Sequence, residues 1–311
     1  MNEPMISLQD VKKEYPRHCA IDGITLDLPA GICLALLGHN GAGKTTLMKL
    51  ILGLIRPTAG SVRVLGGDPC RVEQSLRRQI GFLPENVSFH EELTGRDTLR
   101  FYARLKEQPL ASVAPLLDRV GLLQAADRRV KTYSKGMRQR LGLAQSLLGP
   151  PRLMLLDEPT TGLDPVLRQE FFYIIHELNR AGTTIILSSH VLTELEARTD
   201  QVAIMRQGRL TAFGSLEELR GNANLHLMIR LIAFGKARQL ADYFRDLVIL
   251  DSNENTLDLS CPIGDKMALL RRVASLDAAT IDDIEIRLPT LDDIYLHFGH
   301  VPHQWEEEKN I

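Results

Sequence analysis

The sequence carries almost no net charge: 37 Lys and Arg stand against 39 Asp and Glu, a balance of −2. That excludes the strongly basic field on which nucleic-acid binding depends, so no nucleic-acid partner is expected. Long apolar runs are missing too. None approaches the ~18–20 residues needed to cross a bilayer, and the start, Met1-Asn2-Glu3-Pro4, has neither the positive charge nor the apolar stretch of a signal peptide. Cysteine is scarce. Cys19, Cys33, Cys70 and Cys261 lie far apart with no C-x-x-C, which argues against a disulfide framework or a zinc site and for reduced thiols in the cytosol. A soluble chain is expected, with any membrane role reached through a partner. At 311 residues it has room for about two domains.

What is present is organised around Gly38-His39-Asn40-Gly41-Ala42-Gly43-Lys44-Thr45-Thr46. The apolar run Ile32 to Leu37 reads as a buried strand before it, and Leu47 to Leu54 offers one apolar helix face after it. Strand, G-x-x-x-x-G-K-[ST] loop and helix together make a P-loop. The glycines let successive backbone N–H groups turn onto a phosphate, and the helix start adds its positive dipole end. In this reading the loop from Gly38 to Thr46 binds ATP, Lys44 reaches the β- and γ-phosphates, and the Thr45 hydroxyl holds Mg²⁺.

The following residues supply partners for that loop. Ile6–Val11 and Ile24–Leu28 alternate as strands, with Tyr15 on the loop between them. An aromatic there suits stacking on a base, or simple packing at a strand end. Ser61–Leu65 and Gln79–Leu83 read as further strands, and Glu85-Asn86 follows Pro84 on an exposed loop. Leu99, Tyr102, Ala103 and Leu105 share one helix face, and Leu116, Leu117 and Val120 another. This helical stretch ends in Tyr133-Ser134-Lys135-Gly136-Met137, where Ser134 caps a helix whose first N–H groups suit an anion.

Leu153–Leu156 is an apolar strand ending in two acids, Asp157 and Glu158. Beyond the C-terminus of an α/β strand they face the ligand. Asp157 is placed for Mg²⁺, and Glu158 for taking a proton from attacking water. Thr160–Pro165 is a polar turn before a helix around Phe171–Leu178, and Thr183–Leu187 is a buried strand ending in Ser188-Ser189-His190. His190, at a strand end on the nucleotide side, is a candidate sensor of the γ-phosphate. Val202–Met205 and Arg209–Phe213 read as a hairpin.

A boundary is expected over Gly214–Gly221, with Gly221-Asn222-Ala223-Asn224 as linker. Beyond it come a strand (225–232), a helix (236–247), a hairpin bent at Asn253-Glu254-Asn255, a helix (265–276) and a strand (284–288). The order βαββαβ predicts a small α+β domain of ferredoxin-like type. The expected division is 1–220, with a helical part at about 90–150, then 221–298, then a flexible tail at 299–311. The tail spacing of His297, His300 and His303 invites a metal site, but Gly299 and Pro302 break any helix that would align the imidazoles.

Taken together, these motifs resemble the nucleotide-binding subunit of ABC transporters over about residues 5 to 220. The resemblance implies an α/β P-loop NTPase core with an antiparallel β subdomain and a helical insert. Tyr15 is similar to the family's A-loop aromatic, Gly38–Thr45 to Walker A, and Leu153–Asp157 to Walker B. Glu158 matches the catalytic glutamate, Thr161–Asp164 the D-loop, His190 the switch histidine, and Tyr133–Met137 the signature. Two positions depart from the family pattern. The signature reads Y-S-K-G-M where L-S-G-G-Q is usual, and Glu85 replaces the Q-loop glutamine. A carboxylate at 85 could still approach Mg²⁺, but it adds negative charge beside Asp157 and Glu158. The strings Gly38–Thr46, Leu83-Pro84-Glu85-Asn86-Val87 and Asp127–Arg140 narrow the resemblance to the ATPase of the nitrous-oxide reductase maturation transporter. That family delivers copper or sulfur to a periplasmic enzyme and works with a membrane permease and a periplasmic partner.

The expected machine is a head-to-tail homodimer on the cytoplasmic side of the membrane. Each ATP would lie between one P-loop and Ser134, Lys135, Gly136 and Asp164 of the other copy, because one chain leaves the γ-phosphate half coordinated. The loop at Glu85 to Phe89 is where a permease helix would dock. Three functions compete: cofactor maturation, the same ATPase on a drug, ion or lipid exporter, and a soluble ABC protein acting on nucleic acid or ribosomes. The last usually needs two cassettes or a coiled-coil insert, and this chain has neither.

Overall fold

The computed structural model describes residues 3–71, 74–189, 191–276 and 280–299. The chain divides into two compact units, Met1–Phe213 and Gly214–Ile311.

In the first unit, β1 (Ile6–Tyr15), β2 (His18–Leu28), β3 (Cys33–Leu37), α1 (Lys44–Ile51) and β4 (Ala59–Val64) come first. Strands β1, β2 and β4 form an antiparallel sheet in the order β2-β1-β4. After α2 (Gln74–Arg77) and β5 (Ile80–Leu83) comes the helical insert: α3 (Gly95–Leu105), α4 (Val113–Arg119) and α5 (Lys135–Ser146). Then follow β6 (Leu153–Leu156), α6 (Pro165–Arg180), β7 (Thr184–Ser188), α7 (Leu192–Glu196), β8 (Gln201–Arg206) and β9 (Arg209–Gly214). The second sheet runs β5-β6-β7-β3-β8-β9, with the strands from β5 to β8 parallel. Every residue of β3, β6 and β7 is buried, as continuous apolar runs in a sheet covered on both faces must be.

Side-chain hydroxyls and carboxylates start the helices near the site. Thr94 Oγ1 accepts from Asp97 N (3.0 Å) to cap α3, and Ser134 Oγ accepts from Met137 N (3.2 Å) to cap α5. Helix α5 lies so close to β5 that a Cβ on Gly142 would meet Leu83 Cδ1 at 2.7 Å. The insert therefore leans on the core through a glycine.

The second unit comprises α8 (Leu216–Asn222), β10 (His226–Ile232), α9 (Ala237–Tyr243), β11 (Val248–Ser252), β12 (Thr256–Pro262), α10 (Lys266–Ala274), β13 (Asp283–Arg287) and α11 (Leu291–Gly299). Its sheet runs β11-β12-β10-β13, antiparallel throughout. With βαββαβ order this is the ferredoxin-like arrangement read from the sequence. Leu227, Ile229, Leu231, Leu257 and Leu259 project from one face onto Leu240, Phe244, Leu269 and Val273 of the helices.

Several local expectations need correction. Tyr15 ends β1 and is not on a loop, because the hairpin to β2 turns tightly at Pro16-Arg17. Helix α1 stops at Ile51, leaving Leu54 64% exposed. Leu105 is likewise 56% exposed, off the buried face made by Leu99 and Ala103. The expected boundary stretch Gly214–Gly221 carries helix α8, which starts at a reciprocal capping box between Ser215 and Glu218 and takes in Gly221 and Asn222 of the expected linker. His297 and Gly299 belong to α11 and not to a tail. His190, His300 and His303 lie outside the described residues.

Candidate functional site

Parallel strands bring their C-terminal ends to one edge of a sheet, and three of those ends meet here. The loop after β3 carries the glycines, β6 runs into Asp157-Glu158, and β7 closes on Ser188. In the sheet order β7 lies between β6 and β3, so Ser188 stands between the acids and the P-loop. A cavity of about 350 Å³ opens at this edge, lined by His18, Ala20, every residue from His39 to Thr46, Glu85, Asp157 and Glu158.

The loop geometry depends on glycine. Gly43, the N-cap of α1, has φ +106°, and a Cβ there would sit 2.6 Å from the Ala20 carbonyl. No other residue tolerates that backbone and that proximity. The N–H groups at the start of α1 are thereby left facing the cavity, where a phosphate is the ligand that they suit. Lys44 is buried, and its ammonium donates to the carbonyls of Gly38 and His39. Burial pushes its pKa down, while the charges of Glu158, Asp157 and Glu85 oppose the shift.

Asp157 is held at both oxygens. Thr45 Oγ1 donates to Oδ2 (2.8 Å), and Ser188 Oγ donates to Oδ1 (2.8 Å). Ser188 Oγ also accepts from the backbone N–H of Glu158 (2.9 Å). Glu158 needs that support, because its φ of +47° lies in the left-handed region that non-glycine residues avoid. One fully buried hydroxyl thus orients the first acid and pins the strained backbone of the second. Thr45, Asp157 and Glu85 are hard oxygen donors on one cavity, a set that fits Mg²⁺.

Sequence reasoning placed Tyr15, Gly38–Thr46, Lys44, Thr45, Asp157, Glu158 and Glu85 here, and the structure lines the cavity with all of these except Tyr15 and Gly38. Gly38 takes part through the carbonyl that Lys44 holds. The Tyr15 ring stacks on His18 (centroids 5.3 Å apart), with Lys13 Nζ 5.2 Å from its centroid, and it is His18 that lines the cavity. His18, Ala20 and Ser188 were missed as site residues. The first two come from a hairpin in the other sheet and carry no local signal. Ser188 is a serine at a strand end, informative only once β7 is known to neighbour β6.

Ser134, Lys135, Gly136 and Asp164 do not line the cavity. Asp164 caps α6 by accepting from Leu167 N (3.0 Å), and the Lys135 stem lies against Gly162, whose Cβ would meet its Cδ at 2.9 Å. Buried Gln139 ties the same helix to the following turn, donating to Pro159 O at 3.1 Å. Glu85 also lines a second cleft of about 260 Å³, with Asn86, Val87, Lys135, Arg138 and Gln139. Residue 85 therefore touches both the phosphate cavity and the start of α5.

The comparisons agree with this geometry. The ABC transporter family model matches residues 21–161. Over 312 residues the chain is 36% identical to the daunorubicin resistance ATP-binding protein DrrA3 of Streptomyces coeruleorubidus, covering 96% of each chain. It is also 36% identical over 235 residues to the lantibiotic transport ATP-binding protein SrtF of Streptococcus pyogenes, covering 75% of this chain and all of that one. A solved ATP-binding subunit of an ABC transporter superposes with a TM-score of 0.66 at 31% identity, covering 70% of this chain and 92% of the other. The fold is also that of the dimeric post-hydrolysis state of the ATP-binding cassette MJ0796 bound to ADP and Pi (TM-score 0.64, 22% identity, 68% of this chain and 99% of that one). Among the described residues no helix is long and apolar enough to cross a membrane. The chain belongs to the ATP-binding subunits of ABC transporters, and its P-loop cavity is that of an ATPase.

Proposed function

We propose that two copies of this chain close on two ATP molecules and hydrolyse them to drive a separate integral membrane permease, docked on the cytoplasmic face. The observation that carries this reading is the split between the two sets of site residues. Lys44, Thr45, Asp157, Glu158 and Glu85 share one cavity, while Ser134, Lys135 and Gly136 form a capped helix start outside it. A second copy would bring that start, with Asp164, against the γ-phosphate. Lys44 would exchange its loop carbonyls for phosphate oxygens, and Glu158 would accept the proton of the attacking water. Mg²⁺, held by Thr45, Asp157 and Glu85, would neutralise charge on the phosphates. His190 is retained as the γ-phosphate sensor in this scheme, and Tyr15 with His18 as the aromatic pair beside the cavity mouth.

Glu158→Gln tests the scheme. The variant should bind ATP, lose at least ~100-fold in kcat and accumulate as an ATP-held dimer in size-exclusion chromatography. Unchanged turnover would remove Glu158 as the base.

The permease sets the cargo. Two relatives matched over more than nine-tenths of both chains carry drug-resistance names, which supports an exporter of small molecules. The second reading is maturation of the copper sites of nitrous-oxide reductase, with a periplasmic partner reached through the permease. It rests on the strings around Glu85 and Ser134. Co-purification of the chain from membranes, with identification of the bound permease, separates the two.

A further inference from the structure

The ferredoxin-like sheet has two edges, and they differ. Strand β11 is apolar and exposed at Val248, Ile249 and Leu250, but its pairing slips between Ile249 and Asp251. A bulge of that kind twists an edge away from further pairing. Strand β13 is regular: Asp283 to Arg287 pair with Ile232 to Met228 without a slip, and all five residues are exposed.

Hydrogen-bond parity fixes which groups β13 leaves open. Ala233 N donates to Asn255 O (2.8 Å), so the odd-numbered residues of β10 turn toward β12 and the even-numbered ones toward β13. Asp283, Glu285 and Arg287 face those even residues and direct their backbone groups inward. The N–H and C=O of Ile284 and Ile286 then point off the edge. The Asp283 carboxylate covers one of them, accepting from Ile284 N at 2.7 Å.

The edge sequence Asp283-Ile284-Glu285-Ile286-Arg287 is complementary to itself when reversed. About a twofold axis at Glu285, Ile284 of one copy faces Ile286 of the other with both backbones free to bond. Asp283 faces Arg287, and Arg287 faces Asp283. Among the described residues neither makes an ion pair in the monomer. Half-exposed Ile284, Ile286 and Leu288 would continue the apolar face. One contact opposes the pairing: the two Glu285 side chains meet at the axis, tempered by Arg230 directly across from each.

We propose that the C-terminal units of two copies pair antiparallel through β13, joining two four-stranded sheets into one of eight. In the paired state Asp283 leaves the Ile284 N–H to the partner backbone and turns to the Arg287 of the second copy. This association needs no nucleotide, and so stands apart from the ATP-held dimer proposed above.

The test uses the full-length chain without nucleotide. Glu285→Cys, in a Cys19→Ser background that removes the exposed native thiol, should give a disulfide-linked dimer on mild oxidation. Asp251→Cys on β11 should not. In sedimentation experiments Arg287→Asp should weaken dimerisation by about tenfold, since two attractive pairs become repulsive. The swap Asp283→Arg with Arg287→Asp should restore it, and Glu285→Gln should tighten it. A monomer at all concentrations with no cross-link at 285, equal cross-linking at 251 and 285, or a swap that fails to rescue would each overturn the pairing. The ATP-held dimer of Glu158→Gln, measured in parallel, reports on the nucleotide scheme alone.

Discussion

The two sheets that carry functional groups do so in different ways. In the first unit the parallel strands β3, β6 and β7 deliver the P-loop, Asp157 and Ser188 to the same edge, where Asp157 accepts from the hydroxyls of Thr45 and Ser188. In the second unit the antiparallel strands scatter their ends, and no such cluster forms among the described residues. Among its described residues the one buried carboxylate, Asp258, sits on a sheet face and is bound by Arg230 at both oxygens (2.8 and 2.7 Å). Parallel order concentrates chemistry at strand ends, whereas antiparallel order leaves it to faces and edges. Polar contacts in the first unit should therefore govern turnover, and those in the second should govern stability and association.

The sharpest way to break that contrast is at Ser188. Ser188→Ala should cost about 10- to 100-fold in kcat, as expected for the loss of an orienting hydrogen bond to the carboxylate proposed to hold Mg²⁺. KM for ATP should change little, the Mg²⁺ concentration for half-maximal rate should rise, and Ser188→Thr should recover part of the activity. Loss of stability with kcat intact would make the hydroxyl merely structural.

Asp258→Ala probes the other side. It strands Arg230 without its carboxylate, and the unfolding midpoint of the second unit should fall by about 5–10 °C at neutral pH. ATPase rates should stay unchanged. The Arg230 hydrogen bonds hold the Asp258 carboxyl below its usual range, against the opposing effect of burial. Its stabilisation is thus present above the unfolded pKa of ~4 and lost as pH falls through the lower folded value. Calorimetry at pH 7 and in acid should show the gap between variant and wild type closing on acidification.

The smallest effect is expected at Lys106, in the first unit but away from the cavity. Its ammonium donates to Leu148 O (3.0 Å) at the end of α5, and burial lowers its pKa from 10.5 to about 8. Between those values the unfolded chain binds more protons, so wild-type stability should rise as pH climbs from about 8 toward 10.5. Lys106→Met should flatten that rise, measured by chemical denaturation across the window.

Local pattern made much of the site legible. Gly38 to Thr46 had to be a phosphate loop because one backbone conformation, one lysine and one hydroxyl are all specified within nine residues. Asp157 and Glu158 could be placed because a buried strand must end where its acids begin. The βαββαβ order of the second unit was readable from alternation and turn residues. His18 could not be read, because its place at the cavity follows from how a hairpin in one sheet meets a loop in the other. Gly221 and Asn222 are not linker as expected, because Ser215 and Glu218 cap a helix that runs through glycine to Asn222.

By itself the sequence determined most of the strands and helices, and which short stretch must cradle phosphate, since both follow from periodicity and backbone freedom over a few residues. Only the tertiary structure decided that β7 lies between β6 and β3, which makes Ser188 the hinge pin of the acid pair, and that β13 is a regular open edge. Strand neighbours and sheet edges are set by long-range packing. No window of residues along the chain encodes them.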